Sequence, residues 1–580
     1  MEFDLIFEKP LVYDGTGRSA YVNDIAVDNG RIAAIGNLSS ATARKRVPAS
    51  GLALCPGFVD VHTHADMALH QPKYEKLVEP LVRQGITTFV GGNCGAGLAP
   101  ISEENARFQY QFYDIFLGGD QSRDITWKSF GDMLSVFEKK GMVQNCAILA
   151  PHGVVRAHAM GDSPEIANSA QISKMKDVLR RCLEEGAVGM STGLMYYPGL
   201  CSDQNELLEL GRVVHEYNGV FTSHLRSYNS DTLKNAMDEV LDIGRRAQVP
   251  VQISHLFWVP YFREPIRSLV SYTLRGVSAL YKLRPFPIPA DTSTKPYLEM
   301  VDRLISRGQP VGVDAMPTSA GFTHLFAFLP PWSLRGGMDE VLARIADPAT
   351  RRRIRTSIEE GEPVWPHRGE DAWSMNLFKV MGWNCAFIMS VASDKNQHLV
   401  GKSFTEIGKK TGKHPFDAAC DIALEEKGRV LIFETPTYPG DRLVELSLRR
   451  ALLDKNVSIA TDTIPIVFGR PSHLTYDCFP KFLSFYAKDS GMISMAEAIR
   501  KCTSLPAKQL QLSRRGEIKT GYYADLVLFD PATLGTTATA NDPTHFPSGI
   551  RGVYVNGTAV VNGKGYRPER RPGMVIRRGE

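Results

Sequence analysis

Two histidines one residue apart, His62 and His64, close the apolar run Phe58-Val59-Asp60-Val61-His62-Thr63-His64. Cys94 closes a second run, Thr87-Thr88-Phe89-Val90-Gly91-Gly92-Asn93-Cys94, and His224, His255 and Asp462 close three later ones. A strand alternates its faces, so His62 and His64 project to one side. Ligand-type side chains at the ends of several parallel strands are what a (β/α)8 barrel gathers at its C-terminal mouth. Thiolate together with imidazole favours zinc over magnesium or calcium. The pattern therefore predicts a metal-dependent hydrolase, with His62, His64, Cys94, His224 and His255 as metal ligands.

Taken singly, each residue has a plainer explanation. A lone histidine is usually a hydrogen-bonded core residue, a free cysteine a small buried hydrophobe, and Asp462 a helix N-cap. Their shared placement weighs against that. His224 in Thr222-Ser223-His224-Leu225-Arg226 and His255 in Ile253-Ser254-His255-Leu256 repeat a Ser-His-Leu signature about one βα unit apart. Cys94 sits among Gly91, Gly92, Gly95 and Gly97, where close backbone approach is allowed and no bulky neighbour shields the sulfur. A metal would hold it as thiolate. Asp462 would take a proton from the attacking water and return it to the leaving nitrogen, while zinc lowers the pKa of the water and polarises the carbonyl.

Eight strand-like runs must position these groups: Phe58 to His64, Thr87 to Cys94, Cys146 to His152, Ala187 to Thr192, Val220 to His224, Val251 to His255, Pro310 to Asp314 and Val457 to Asp462. They alternate with amphipathic helices such as Thr232 to Ala247, the pattern of parallel βαβ units. Residues 1–54 and 506–580 read instead as short strands and turns, with Asp14-Gly15, Asn29-Gly30 and Asn556-Gly557 as hairpin signals. The predicted fold is α/β: a TIM-like (β/α)8 barrel over 55–505, a small β-sandwich built from both chain termini, and an inserted subdomain late in the barrel. Two spacings are too long for one βα unit. Residues 258–306, rich in aromatics and proline, are expected to form a substrate lid, and 330–456 a subdomain with helices, its basic run Arg351 to Arg355 a solvated helix face.

The chain has 580 residues, enough for one large and one or two smaller domains. Its 67 basic residues nearly balance 63 acidic ones, leaving +4, so nothing favours nucleic acid or an anionic membrane as partner. Nine scattered cysteines do not make a disulfide framework, and the N-terminus has no basic leader or apolar signal core. With no apolar stretch of about 18 residues, a soluble, cytoplasmic protein is expected.

The motifs Pro56-Gly57-Phe58-Val59-Asp60-Val61-His62-Thr63-His64, Gly92-Asn93-Cys94-Gly95, Pro151-His152-Gly153, Ser191-Thr192-Gly193-Leu194, Ser223-His224-Leu225-Arg226, Gln252-Ile253-Ser254-His255, Thr461-Asp462 and Ala524-Asp525-Leu526-Val527 run nearly the whole length. In them the chain resembles the amidohydrolase superfamily and, within it, the N-acyl-D-amino-acid deacylases. The resemblance implies a tight zinc on Cys94, His224 and His255, a second, weaker metal position at His62 and His64 with Cys94 able to bridge, and Asp462 as acid/base. Relatives also carry a His-Pro-Arg segment whose arginine fits the substrate α-carboxylate; here it reads His473-Leu474-Thr475, with Arg470 a candidate substitute. Their Asp-x-Tyr-Pro-Tyr is Asp314-Ala315-Met316-Pro317-Thr318, and the lysine that follows Ser-His-Leu is Phe257.

These changes remove anion-binding groups, which points to a small-molecule amide that is larger, more hydrophobic, or neutral where the relatives' substrates are carboxylates. Further pocket candidates are His152, Tyr196, Tyr197, Arg226, Trp258 and Met316. Hydrolysis of a cyclic amide, carbamate or ester is the alternative reaction, and a non-catalytic scaffold the alternative class. A homo-oligomeric state is left open.

Overall fold

The computed structural model describes residues 2–117, 125–286 and 293–579. Eight short parallel strands form its centre: β1 (Phe58–Asp60), β2 (Ile86–Gly91), β3 (Asn145–Ile148, continued by Ala150–Pro151), β4 (Gly189–Gly193), β5 (Val220–His224), β6 (Val251–Ile253), β7 (Val311–Ala315) and β8 (Val457–Ile459). Each pairs in parallel with the next, in sequence order. A parallel bridge between Thr63 and Thr463, with His64 N–H donating to Thr463 O at 2.8 Å, joins the last strand to the first. The barrel is closed. Its strands are buried on both faces, which is why they read as unbroken apolar runs rather than as alternation.

Five strands stop short of the predicted ends. β1 ends at Asp60 rather than His64, β2 at Gly91 rather than Cys94, β3 at Pro151 rather than His152, β6 at Ile253 rather than His255, and β8 at Ile459 rather than Asp462. The chain leaves the ladder there because it must turn over the barrel mouth: His255 and Asp462 have φ of 34° and 49°, a region no strand residue occupies. The helix Leu233–Ala247 forms as its periodicity predicts, burying Leu233, Ala236, Met237, Val240, Leu241, Ile243 and Gly244.

Both chain ends build one β unit. Ala53–Pro56 pairs antiparallel with Leu526–Phe529 and parallel with Leu11–Val12. A four-stranded sheet led by Asp24–Asp28 and Arg31–Gly36 completes it, and Phe7, Ile25 and Val27 meet Leu526, Leu528 and Tyr554 in a shared core. The turns Asn29-Gly30 and Asn556-Gly557 adopt the positive φ angles that two-residue hairpins demand. Asp14-Gly15 does not make such a hairpin: its flanking strands, Leu11–Val12 and Tyr21–Val22, pair across a longer loop.

Between β7 and β8 lies an inserted unit, an antiparallel sheet of Gly321–His324, Val430–Glu434 and Ala386–Val391 covered by helices. Its first strand precedes residue 330. In the helix Pro348–Glu360, Arg351 is not simply solvated but pairs with Asp417 and Asp421 at 3.0 and 2.8 Å, and Arg353 lies over Trp332. The segment expected to be a lid contributes the helices Ile266–Leu283 and Lys295–Ser306. The first rests on the inserted unit through Ser278 to Asp441 and Arg275 to the Asn384 carbonyl. None of its described residues lines the cavity at the barrel mouth; residues 287–292 of the expected lid lie outside the described residues.

Candidate active site at the barrel mouth

Each candidate ligand stands at or just past a strand end, where the backbone is released from the ladder yet held by packing. Gly193 allows this at Cys94: a Cβ on Gly193 would lie 1.9 Å from the Cys94 carbonyl oxygen. Cys94 itself has φ 53°, so three of the six predicted site residues, Cys94, His255 and Asp462, occupy the left-handed region. Such strain persists only where the surroundings impose it.

The side chains converge. Cys94 Sγ lies 3.2 Å from His62 Nε2, 3.6 Å from His224 Nδ1 and 3.8 Å from His255 Nε2. Asp462 Oδ1 lies 3.3 Å from His62 Nε2 and 3.6 Å from His64 Nε2. Two groups able to hold a cation result, His62, His64, Cys94 and Asp462 on one side and Cys94, His224 and His255 on the other, with Cys94 in both. Zinc–sulfur and zinc–nitrogen bonds at a tetrahedral angle put sulfur and nitrogen roughly 3.5 Å apart. The Cys94, His224 and His255 donors match that spacing and are the N/S set zinc prefers.

The electrostatics agree. Burial alone would push the Cys94 thiol up, but the charge on His62 and hydrogen bonds from His224, His255 and His62 hold it well below its ordinary value, as a thiolate. Burial and the neighbouring His255 draw His224 down to about 4, keeping that imidazole neutral and able to donate its lone pair. Burial opposes ionisation of Asp462 too, yet the His62 charge and hydrogen bonds from His62 and His64 hold its carboxyl far below the carboxylate range.

An outer ring fixes these groups. Tyr228 Oη lies 3.0 Å from His255 Nδ1 and donates to Ser254 O at 3.0 Å, which sets Nδ1–H against the phenol oxygen and turns Nε2 toward Cys94. Asp314 accepts from the His255 N–H at 2.7 Å and Gln252 Nε2 at 2.8 Å, and stands 3.7 Å from His62 Nδ1. Asp60 accepts from Thr461 N and Oγ1, tying β1 to the residue before Asp462.

A cavity opens over the cluster, lined by His64, Cys94, Asp462, Tyr196, Tyr197, Met67, Phe116, Phe322, Thr323, His324 and Ile464 among others. Among the described residues its wall holds no lysine or arginine. The ring of Tyr196 packs 4.7 Å from His224. Phe257 stacks on Tyr228 at 4.1 Å, 5.9 Å from the His255 ring, Trp258 is half-buried beside it and Met316 is buried, but none of these three lines the cavity.

The other expected pocket residues are engaged elsewhere. His152 pairs with Glu206 at 2.8 Å, beside Arg156. Arg226 is buried and spends its guanidinium on Glu239 and the Leu200 and Ser202 carbonyls. Arg470 donates to the Asn541 carbonyl at 2.6 Å, and His473 pairs with Asp477 at 3.0 Å. Neither reaches the cavity, so Arg470 does not replace the missing arginine.

Sequence reasoning missed Tyr228, Thr323, His324 and Glu434. Tyr228 follows the Ser-His-Leu motif by three residues, which is a usable signal; the other three belong to the inserted sheet and carry none. Glu434 pairs across that sheet with Gly321, on the face of Thr323, and Thr323 is hydrogen-bonded to Tyr196. Burial and the charge on Asp462 push Glu434 up to about 8.

Residues 445–560 match the amidohydrolase family. D-aminoacylase of Alcaligenes xylosoxydans xylosoxydans is 29% identical over 96% of this chain and 94% of its own, and N-acyl-D-aspartate deacylase of the same organism 28% identical over 100% and 95%. A crystal structure of D-aminoacylase superposes with a TM-score of 0.75 at 28% identity, covering 99% of this chain and all of that one. N-acyl-D-glutamate deacylase from Bordetella bronchiseptica, complexed with zinc and a phosphonate mimic of the tetrahedral intermediate, gives 0.73 at 25% identity, with both chains covered fully. The closed barrel, the two-ended β unit and the Cys94-centred cluster thus go with a likeness to the D-aminoacylases over nearly the whole chain and to the amidohydrolase family over residues 445–560.

Proposed function

We propose that the protein hydrolyses the C–N bond of an N-acyl compound at a zinc site formed by Cys94, His224 and His255, with His62 and His64 offering a second, weaker position that shares Cys94. The observation that carries this reading is the pairing of a Cys94 thiolate, within 3.8 Å of two imidazoles, with an ionised Asp462 beside His62. Zinc bound there supplies a Lewis acid that lowers the pKa of water and polarises a carbonyl. The chain does the rest. Asp462 accepts the proton of the attacking water and delivers it to the departing nitrogen. His62 and His64 fix its carboxylate from two sides. Tyr228 and Asp314 hold His255 and His62 in the orientations the site needs.

The pocket favours a substrate without a free carboxylate where the relatives' substrates carry one. Among the described residues no guanidinium or ammonium lines the cavity, and much of its wall is apolar, from Met67, Phe116, Phe322 and Ile464. Hydrolysis of matched N-acyl-D-amino acids, their L-enantiomers, the carboxyl-blocked amides of both and bulky aromatic amides tests this. Faster turnover of blocked or bulky amides is expected. Turnover of small D free acids alone would refute it.

A further inference from the structure

Beside the metal pocket lies a second cavity. Tyr196, Tyr197 and His324 belong to the walls of both. The rest comes from Ile115, Met195, Leu200 and the inserted unit, including Ala327, Leu334 and Trp373. No aspartate, glutamate, lysine or arginine lines it among the described residues. His324 keeps this neutrality, since burial draws its ring down to about 3. The indole Nε1 of Trp373 is buried without a hydrogen-bond partner in the same wall.

Close packing of the interior is the rule, and an apolar cavity that escapes it beside a reactive centre is a candidate ligand site. The chemistry of amide cleavage assigns the halves of the substrate. The departing nitrogen must face Asp462, so the substituent on the carbonyl carbon extends away from it, along Tyr196, the wall the chambers share. Resting on the amide-hydrolysis reading of the first pocket, we infer that the second chamber is the subsite for the acyl chain, and that the substrate class is the amide of an extended apolar carboxylic acid rather than of acetate. The unpaired indole N–H of Trp373 offers a single donor to an oxygen along that chain.

The test is chain length. The zinc-loaded protein is assayed on N-acetyl through N-decanoyl derivatives of one neutral amine, and octanoate binding is measured by calorimetry, in the unmodified protein and in Ala327→Phe and Leu334→Trp. The expected kcat/KM rises roughly three- to four-fold per methylene, the equivalent of about 0.8 kcal/mol for each one buried. Either filled variant lowers the octanoyl-to-acetyl ratio at least about tenfold and weakens octanoate binding; two variants guard against one that misfolds. Hydrolysis with a flat acyl-length profile overturns the inference. Absence of all amide hydrolysis while octanoate still binds, and is excluded by both variants, would uphold the chamber and sink the amide reading. Absence of both would overturn the two together.

Discussion

The backbone N–H of Asp462 donates to the His62 carbonyl at 2.8 Å, and the carboxylate of the same residue lies 3.3 Å from His62 Nε2. The contact that closes the barrel is thus also the contact that sets the Asp462 carboxylate beside the histidines. Asp60, buried and bonded to Thr461, braces the junction one residue earlier. A barrel that closes correctly can hardly fail to assemble this half of the site.

Asp462→Asn keeps the volume and the backbone contact but removes the proton acceptor. Its kcat should fall by roughly 10²- to 10⁴-fold, with zinc content unchanged by elemental analysis. Loss of zinc along with activity would make Asp462 a ligand instead.

Cys94→Ala removes the one donor common to both metal groups. Purified protein should carry little zinc and show no turnover, whereas circular dichroism should still report the barrel. Full zinc occupancy in this variant would contradict the proposed ligand set.

Tyr228→Phe deletes the oxygen that orients His255 while preserving the stacking on Phe257. Zinc affinity, measured by competition with a chelator, should weaken by about 10- to 100-fold, and excess zinc should restore most of the rate. A lost rate that zinc cannot restore would argue that the phenol acts on substrate.

Glu434 imposes a pH dependence on stability. Its folded pKa, about 8, lies above the ordinary 4.5. Through that window the unfolded chain releases a proton that the folded chain keeps, so this residue's contribution falls as pH rises from about 4.5 to about 8. Glu434→Gln should therefore raise the melting temperature above pH 8 relative to the unmodified protein and have its smallest advantage below pH 4.5. Equal shifts at both ends of the range would show that burial does not perturb the carboxyl.

The convergence of the histidines, Cys94 and Asp462 was legible because each ends an apolar run, and a parallel barrel buries such runs on both faces. Cys94 and the two Ser-His-Leu motifs needed no tertiary information. What lay hidden depends on segments whose direction local patterning does not encode. The aromatic stretch after His255 reads like a lid, yet the helix Ile266–Leu283 finds its partners on the inserted unit. Arg470 follows Asp462 closely enough to look like an anion anchor, but its loop carries it to Asn541. His324 and Glu434 reach the pocket region only because the strands Gly321–His324 and Val430–Glu434, more than a hundred residues apart, pair in a sheet no periodicity announces.

The most direct test of the account is a zinc titration of metal-stripped protein, read as hydrolysis of a carboxyl-blocked N-acyl amide. Activity should climb from zero and reach its maximum near one equivalent of zinc, with no response in Cys94→Ala. Turnover that is the same without metal, or that survives in Cys94→Ala, would contradict a Cys94-centred zinc site as the seat of catalysis.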